Sequence, residues 1–400
     1  MSIDPFPAAA SRGSAVLKAL GLGLLLGLLA RAIIVQAGAD PAAVRARAAA
    51  AREAGAKFRG PVRIHFADAE GGNAMQHGSG TYLGASADGR TGYILTAAHI
   101  FQFNPDEGTA AAFCRAMAWA GAEAPSGEGA VIDRIFVHPD YAGRAQAGKA
   151  WDRSFPNDIA VMSFSWDGRD RLKATGLWQA ATLVDGKEAT DLLVADAEVA
   201  GYGLFGTNGT GEPELSDGIQ AGWTRVQQAS RLGRPMLVNW VPCAVSQERY
   251  LETKPPIKRL LHRFQPDRRV RAARLPWEKQ AGHTIQAHPE QVLPAPGDSG
   301  GPLFLWTGRG LQVLGITSCL LLNTLVLEGS GTPELCLGSV WEPVAPHRDW
   351  IRLVRETGEA PAWVLRPGQP HWERQGPAKG PEGKGAEPAD GECRWACAIL

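Results

Sequence analysis

The stretch Gly297-Asp298-Ser299-Gly300-Gly301-Pro302 says more about the fold of this 400-residue chain than any other segment. Glycines on both sides of Ser299 allow the backbone to turn tightly and to approach a bound molecule closely. The N–H groups of Gly297 and Ser299 can then converge on one point, where the negative oxygen of a tetrahedral intermediate would form. The stretch therefore predicts a nucleophile loop, with Gly297 and Ser299 as its oxyanion hole.

A serine hydroxyl becomes a nucleophile only beside a base, and the base needs a carboxylate that orients it. His99 follows an apolar segment and is the candidate base, while Asp158 opens a second apolar segment, Ile159–Met162, and is the candidate carboxylate. Taken alone, such residues are most often a satisfied histidine and a turn aspartate. Their order along the chain, with Ser299 last, predicts one catalytic triad.

The three motifs resemble those of the chymotrypsin-like serine proteases. Thr96-Ala97-Ala98-His99 is similar to the histidine motif of that family, and the loop around Ser299 is similar to its nucleophile loop. Val137–Tyr141 resembles the segment that commonly precedes the family's aspartate, so His138 and Asp140 within it are interpreted as structural. The resemblance covers roughly residues 60–356.

Short apolar runs separated by Gly, Pro, Asn and Asp, such as Val131–Val137 and Leu311–Thr317, predict an all-β fold. The family resemblance implies two antiparallel six-stranded β-barrels with the triad between them. It also implies a C-terminal helix, which is expected over Pro346–Glu356 with Trp350, Ile351 and Val354 on its buried face. The last strand of the domain is expected at Val340–Val344.

The ends of the chain differ in composition from its middle. Residues 1–39, with an apolar run from Ala19 to Ala30 after two cationic residues, predict a signal peptide; an uncleaved anchor is the alternative. An Ala-rich spacer or pro-segment is expected over residues 40–59. Residues 357–400 are expected to be a disordered Pro/Gly-rich tail. The chain is therefore predicted to be exported, to the periplasm or the extracellular space, or tethered to a membrane by its N-terminal segment.

An insertion relative to compact relatives is expected over residues 225–288. It carries nine Lys and Arg residues between Lys254 and Lys279, which are interpreted either as a solvated face or as a patch for an anionic partner. The whole chain contains 41 basic and 41 acidic residues and so has no net field that would attract nucleic acid. No nucleic-acid partner is expected.

The resemblance also nominates a substrate pocket lined by Leu293, Ser318 and Leu320. No carboxylate is among these residues, and burying an unpaired cation is costly, so specificity for Arg or Lys is not expected. Small or medium apolar residues are expected instead. No metal or organic cofactor is expected.

Two features complicate the resemblance. Nothing upstream matches the N-terminus that zymogen-type relatives release to pair with the carboxylate before the nucleophile, here Asp298. Either another cation pairs with Asp298 or activation uses a different cut. The six cysteines suggest disulfides in an exported protein; Cys319–Cys336 is favoured, Cys114–Cys243 is a second choice, and Cys393–Cys397 would be a local pair.

The predicted function is a serine endopeptidase that forms an acyl-enzyme on Ser299 of a protein or peptide substrate. His99 would act as general base and acid, and Asp158 would orient it. Two alternatives stay open: a protease-fold binding protein without turnover, and a narrow hydrolase of esters or of one partner protein.

Overall fold

The structure is a computed structural model. It describes residues 50, 53–55, 58–68, 76–101, 113–119, 129–141, 157–167, 176, 178–186, 194–207, 213–215, 218–231, 234–242, 291–326, 333–367, 372–376 and 396–398. Eighteen strands lie within these residues: β1 (Pro61–Asp68), β2 (Gln76–Ala85), β3 (Thr91–Thr96), β4 (Phe113–Trp119), β5 (Ala130–Val137), β6 (Ala160–Ser165), β7 (Thr182–Leu183), β8 (Val194–Gly201), β9 (Leu204–Thr207), β10 (Pro213–Leu215), β11 (Gln220–Arg231), β12 (Arg234–Pro242), β13 (Pro302–Thr307), β14 (Gly310–Val326), β15 (Pro333–Pro343), β16 (Ala362–Leu365), β17 (Glu373–Gln375) and β18 (Ala396–Ala398).

Helices are few in the described part of the chain. Two short 3-10 helices span Ala98–Phe101 and Ala345–His347, and one α-helix that is described over its whole length, α1, spans Arg348–Thr357; residues 53–55 are also helical. The all-β prediction is confirmed. Among the described residues, no helix combines the length and the apolar character that crossing a membrane requires.

The N-terminal half forms a closed six-stranded antiparallel barrel. Its strand order is β5-β4-β1-β2-β3-β6, and pairing of β6 with β5 closes it. Apolar side chains such as Ile64, Ile94 and Ile135 are buried in its core. Gly92 leaves room for the ring of Phe164, since a Cβ at position 92 would overlap that ring. The barrel is therefore filled by side chains, as expected for one of this strand number.

The second sheet runs in the order β13-β8-β11-β12-β15-β14-β18, and β13 also pairs with β14. Residues 225–231 belong to β11, which pairs with β8 and β12, and residues 234–242 form β12, which also pairs with β15. The expected insertion therefore begins later than residue 225, because these residues belong to the sheet itself. Their alternation of apolar and polar residues is typical of strands with one buried face. Residues 243–288 of the insertion lie outside the described residues.

The helix after the second sheet is where it was expected. Helix α1 is capped at its C-terminal end by Gly358, which has φ 65°, and buries Ile351 and Val354. Trp350 is partly buried against the same core. The helix prediction over residues 346–356 is confirmed, with a 3-10 turn as its first residues.

The predicted domain limits need two corrections. Residues 362–365 form β16, which pairs with β5 of the barrel, and β17 pairs with β16, so part of the expected disordered tail is folded. Burial of apolar residues such as Val364 and Leu365 stabilises this folded segment. The average composition of residues 357–400 does not reveal these few apolar residues. At the other end Phe58, expected in the spacer, is buried and stacks on Phe304 with ring centroids 5.2 Å apart.

Candidate active site

His99 and Asp158 meet because their strands are neighbours. Strand β3 pairs with β6 so that Thr96 lies opposite Ala160. His99 follows the end of β3 in a 3-10 turn, and Asp158 precedes β6, so both lie at the same end of the barrel. The His99 N–H donates to Asp158 Oδ1 at 2.8 Å, and His99 Nδ1 is 2.7 Å from Asp158 Oδ2. The carboxylate thus sets the position of the His99 backbone as well as its ring.

The chain reaches Asp158 through a strained residue. Asn157 has φ 57°, the left-handed region that Asn tolerates better than most residues. Its side-chain amide donates to the Asp140 carbonyl at 2.8 Å, and the Ile159 N–H donates back to the Asn157 carbonyl at 2.7 Å. This tight turn directs the Asp158 carboxylate toward His99. The Ser318 hydroxyl is a third donor to the fully buried carboxylate.

The hydroxyl of Ser299 completes the chain of hydrogen bonds. Its Oγ lies 2.8 Å from His99 Nε2, although the two residues are 200 positions apart in the sequence. Gly297 and Gly300 on either side have φ 98° and 80°, which favour glycine. A side chain at Gly300 would also overlap the Thr96 hydroxyl. The loop geometry therefore requires glycines at these places.

Ser79 of β2 joins the nucleophile loop to the barrel. Its N–H donates to the Ser299 carbonyl and its hydroxyl donates to the Gly297 carbonyl, both at 2.8 Å. The same hydroxyl accepts the Tyr202 N–H at 3.1 Å. Ser79 thus fixes two carbonyls of the loop from the opposite sheet. The sequence offers no signal for this role, because Ser79 and Gly297 are 218 positions apart.

The candidate oxyanion hole follows from the same loop. The Gly301 N–H donates to the Asp298 carbonyl at 2.8 Å, which fixes the peptide that carries the Ser299 N–H. Within the described part of the chain, no acceptor takes up the Gly297 N–H. Both N–H groups belong to the loop that carries Ser299 Oγ, as an oxyanion hole requires. Ser299 and His99 are themselves buried, at 0% and 3% exposure.

Asp298 is held by the backbone. Its carboxylate accepts the Gly203 N–H at 2.7 Å and the Ala295 N–H at 2.8 Å. It forms no ion pair among the described residues. Burial raises the pKa of Asp298 to about 6, although the two N–H donors act in the opposite direction. The expected alternative cation is therefore not found in this part of the chain.

The motif Gly201-Tyr202-Gly203 makes room for that carboxylate. A Cβ at Gly203 would lie 2.6 Å from the Asp298 Cγ, and one at Gly201 would lie closer still to its Oδ1. Real Cβ atoms do not approach so closely, so larger residues here would displace Asp298. Both glycines are explained by this single contact.

The three nominated pocket residues are not equivalent. Ser318 is buried and its hydroxyl faces Asp158, so it supports the triad directly. Leu320 is buried on β14 two residues further on, and Leu293 is half-buried in the segment before the nucleophile loop. Thr317 links this strand to the loop, since its carbonyl accepts the Gly300 N–H at 2.8 Å.

The favoured disulfide between Cys319 and Cys336 is wrong. Strand β15 places Val340 opposite Cys319 and places Cys336 opposite Asn323. Four residues of strand separate the two positions by about 13 Å, whereas disulfide Cα atoms lie within about 7 Å. Cys319 is a buried thiol. The other proposed pairs include residues outside those whose side chains the structure describes.

The residues interpreted as structural are bonded to each other. The Asp140 N–H donates to His138 Nδ1 at 3.2 Å, and the His138 N–H donates to the Ile159 carbonyl at 3.1 Å. These contacts shape the turn before Asp158. Of the supporting residues, Asn157 had a readable signal, since Asn before an apolar run often marks a left-handed turn.

A scan against protein-family models gives no match, and a search of curated proteins gives none either. The family resemblance therefore depends on the motifs and on the site geometry. Among the described residues, no cluster of three or more His, Cys, Asp or Glu side chains is arranged to hold a metal ion.

Proposed function

We propose that the protein is a serine endopeptidase that works through an acyl-enzyme on Ser299. The observation that carries the proposal is the continuous hydrogen-bonded chain from Ser299 Oγ through His99 to Asp158, with distances of 2.8 Å and 2.7 Å. Any one of these three residues alone would be weak support, because serine, histidine and aspartate are each common in purely structural roles. A base between a hydroxyl and a buried carboxylate is the arrangement that activates a serine.

In the first half of the reaction Ser299 Oγ attacks the substrate carbonyl carbon while its proton passes to His99 Nε2. The carbonyl oxygen becomes negative and would accept the Gly297 and Ser299 N–H groups. Asp158 stabilises the resulting imidazolium and keeps the other ring proton on Nδ1. The carbon–nitrogen bond then breaks, and His99 gives its proton to the departing amine.

In the second half a water molecule takes the place of the amine. His99 removes a proton from the water, whose oxygen attacks the acyl carbon. The bond to Ser299 Oγ breaks and His99 returns the proton to that oxygen. Apart from the substrate and this water, the cycle uses only groups of the chain, so the proposal includes no metal or organic cofactor.

The finer description of the fold also belongs to the proposal. The second sheet would be a second six-stranded barrel, since pairing of β13 with β14 joins its first and sixth strands. His99 and Asp158 come from the first barrel, while Ser299 and Ser318 come from the second sheet. The active site would then lie between two barrels, as in the chymotrypsin-like proteases that the motifs resemble.

We propose further that the nucleophile loop forms without a newly released N-terminus. Two backbone N–H groups already occupy the Asp298 carboxylate. In this respect the chain departs from the zymogen-type relatives. Labelling of the enzyme should accordingly need no prior proteolysis.

The pocket residues support a preference for apolar substrate side chains. Leu320 and Leu293 are uncharged, and the Ser318 hydroxyl is engaged by Asp158. An Arg or Lys side chain of a substrate would lack a carboxylate partner among them, at a cost of several kcal/mol, on the order of that for an unpaired buried charge.

Export, a membrane tether and an anionic partner for the basic insertion remain predictions from the sequence. The segments that would carry them, residues 1–39 and 243–288, lie outside the described residues. The binding protein without turnover remains the alternative function, and it is decided by the experiment below.

The test is labelling of the purified protein with a fluorophosphonate, which reacts with an activated serine. We expect labelling of the wild type and none of Ser299→Ala, because the hydroxyl is the reacting group. Ser318→Ala is the matched control, since it removes another buried hydroxyl of the site and should retain slower labelling. A folded wild-type protein that takes up no probe, even after limited proteolysis near Arg59, would exclude the protease and favour the binding protein; labelling that appears only after the cut would mean a zymogen. A peptide library would then test the apolar preference of a labelled enzyme.

A further inference from the structure

A strand from the C-terminal tail lies beside the nominated substrate pocket. Strand β18 pairs antiparallel with β14, and Ala398 lies opposite Leu320. Leu320 is one of the nominated pocket residues, and Ser318, whose hydroxyl donates to Asp158, is two residues earlier on the same strand, about 7 Å away. Residues 396–398 belong to the tail that was expected to be disordered, so this pairing is a further correction.

The nucleophile loop and β18 lie along the same edge of β14. Strand β15 pairs along the opposite edge, so β14 lies between β15 and β18. On the edge that β18 shares, β13 pairs with β14 as far as Ile316. The nucleophile loop continues that pairing, since the Thr317 N–H donates to the Gly301 carbonyl at 2.9 Å and the Thr317 carbonyl accepts the Gly300 N–H at 2.8 Å. Strand β18 therefore follows the nucleophile loop along this edge.

The direction of β18 brings its chain toward the nucleophile loop. It runs from Ala396, opposite Leu322, to Ala398, opposite Leu320. An extended peptide that adds a strand to the edge of a sheet uses the N–H and C=O groups of that edge. Because two strands cannot pair with the same groups at once, β18 and a peptide that pairs with residues 320–322 exclude each other.

The groups that a peptide must reach are covered. Leu320, Ser299 and His99 are exposed by 2%, 0% and 3%. Part of the chain therefore has to move before a substrate can bind. Among the described strands β18 pairs with β14 alone, and over three residues only. Its displacement costs a few backbone hydrogen bonds, at about 1 kcal/mol each, and leaves the pairing of the other strands intact.

The tail connects the two halves of the molecule. Strand β17 pairs with β16, which pairs with β5 of the first barrel, whereas β18 belongs to the second sheet. A segment that a linker of about twenty residues holds on the same chain has an effective concentration on the order of 1 mM. A dissociation constant of about 0.1 mM for the free segment would then keep the edge occupied about ten times as often as it is empty.

The sequence of the segment fits the site. No charged residue occurs from Trp395 to Leu400, whereas residues 377–394 are rich in Gly, Pro and charged residues. An uncharged segment is compatible with a pocket that contains Leu320 and offers no carboxylate partner. The end of the tail therefore has the character that was proposed for the substrate.

We propose that residues 396–398 form an autoinhibitory strand, which occupies the edge of β14 that an extended substrate uses. A substrate binds by displacing this strand, so the chain selects peptides that pair with the edge more strongly than its own tail does. The inference rests on the proposed peptidase function and on Leu320 as a pocket residue. The strand touches no reacting atom and takes no part in the chemistry.

The test uses the full chain with Cys397→Pro or Ala398→Pro. The N–H groups of successive strand residues point to opposite edges, so one of these two residues donates toward β14, and proline there removes the donor. In that variant we expect kcat/KM for an apolar peptide substrate to rise about tenfold, through a lower KM with kcat little changed. Cys397→Ala is the matched control: it removes the thiol but keeps the N–H, and should stay within about threefold of the wild type.

A second readout does not depend on turnover. A synthetic peptide with the sequence of residues 392–400 is titrated by calorimetry into Ser299→Ala, which cannot cleave it. The same titration is done with Ser299→Ala that also carries each proline. We expect the peptide to bind about tenfold more tightly to one of the proline variants, because the protein's own strand no longer competes there.

The outcomes separate this proposal from the proposed function. Tighter peptide binding by a proline variant, with no hydrolysis by any protein, supports the autoinhibitory strand and counts against the peptidase alone. An active wild type whose kcat/KM and peptide binding are unchanged or weakened in both proline variants would overturn the autoinhibitory strand, since β18 would then be an ordinary edge strand. Failure of both proline variants to fold would overturn it as well, because a displaceable strand is not needed for folding.

Discussion

Two aspartates support the loop and the base around Ser299, Asp158 fully buried and Asp298 partly buried, and they are held in different ways. Asp158 accepts hydrogen bonds from the His99 ring and the Ser318 hydroxyl, in addition to one backbone N–H. Asp298 accepts only backbone N–H groups among the described residues, from Gly203 and Ala295. One carboxylate therefore acts on side chains and the other on the path of the backbone.

The difference shows what each carboxylate contributes. In the proposed reaction the charge of Asp158 is needed while His99 carries a proton, so a change at Asp158 should alter the reaction rate. Asp298 shapes the loop that carries Ser299 and the candidate oxyanion hole, so its value appears in stability and in loop geometry. Substitutions that affect one quantity and not the other can test this division.

The largest expected effect is that of Asp158→Asn on rate. The Asn amide would donate where Asp158 Oδ2 accepts, which places the His99 proton on Nε2, facing Ser299. We expect kcat to fall by about 10³–10⁴-fold with little change in the free energy of unfolding. Steady-state kinetics and urea unfolding of the same preparation measure both. A drop below tenfold would mean that Asp158 does not control the His99 tautomer.

The second prediction concerns pH and Asp298. Its pKa is about 6 in the folded protein against an ordinary value of 3.8, so the folded state binds the proton more tightly between these values. The contribution of protonated Asp298 to the free energy of unfolding is therefore complete below pH 3.8 and is lost as the pH rises through 6. The loss is at most about 3 kcal/mol. Urea unfolding of the wild type and Asp298→Asn between pH 4 and 7 isolates this contribution. Parallel pH curves for the two proteins would contradict it.

The third prediction tests the space around Asp298. A Cβ in Gly203→Ala would meet the carboxylate at 2.6 Å, so the free energy of unfolding should fall by about 1–3 kcal/mol. Labelling of Ser299 should also slow, since the loop must shift. Gly308→Ala is the control, because its Cβ would meet nothing within 4 Å. Equal thermal stability of the two variants would show that Asp298 moves aside without cost.

The smallest effect is expected for Ser318→Ala. It removes one of the three donors to the Asp158 carboxylate while His99 keeps the other two. A hydrogen bond to a charged group contributes about 1.5–3 kcal/mol. Because the two His99 donors still hold the Asp158 carboxylate, we expect kcat of Ser318→Ala to fall by only about tenfold. The pH dependence of kcat measures the accompanying change at His99. A rate equal to that of the wild type would assign Ser318 a purely structural role.

The sequence predicted the parts of the site that short motifs can carry. The residues His99, Asp158 and Ser299 were nominated from local context and chain order, and the structure brings their side chains together. The all-β class and helix α1 follow from periodicity, which is a local property. The limits of the insertion and of the tail were wrong because strand pairing, not composition, decides which residues belong to a sheet.

By itself the sequence determined the tight turn of the glycines around Ser299, the order of the three motifs and the strand pattern. These features depend on backbone conformation and on local side-chain alternation. The tertiary structure alone decided the rest of the site. Ser79 reaches Gly297 across 218 residues, Gly203 admits Asp298, and the Ser318 hydroxyl donates to Asp158 across 160 residues. The physical reason is the same in each case: a buried polar group needs a partner, and folding chooses that partner from anywhere in the chain.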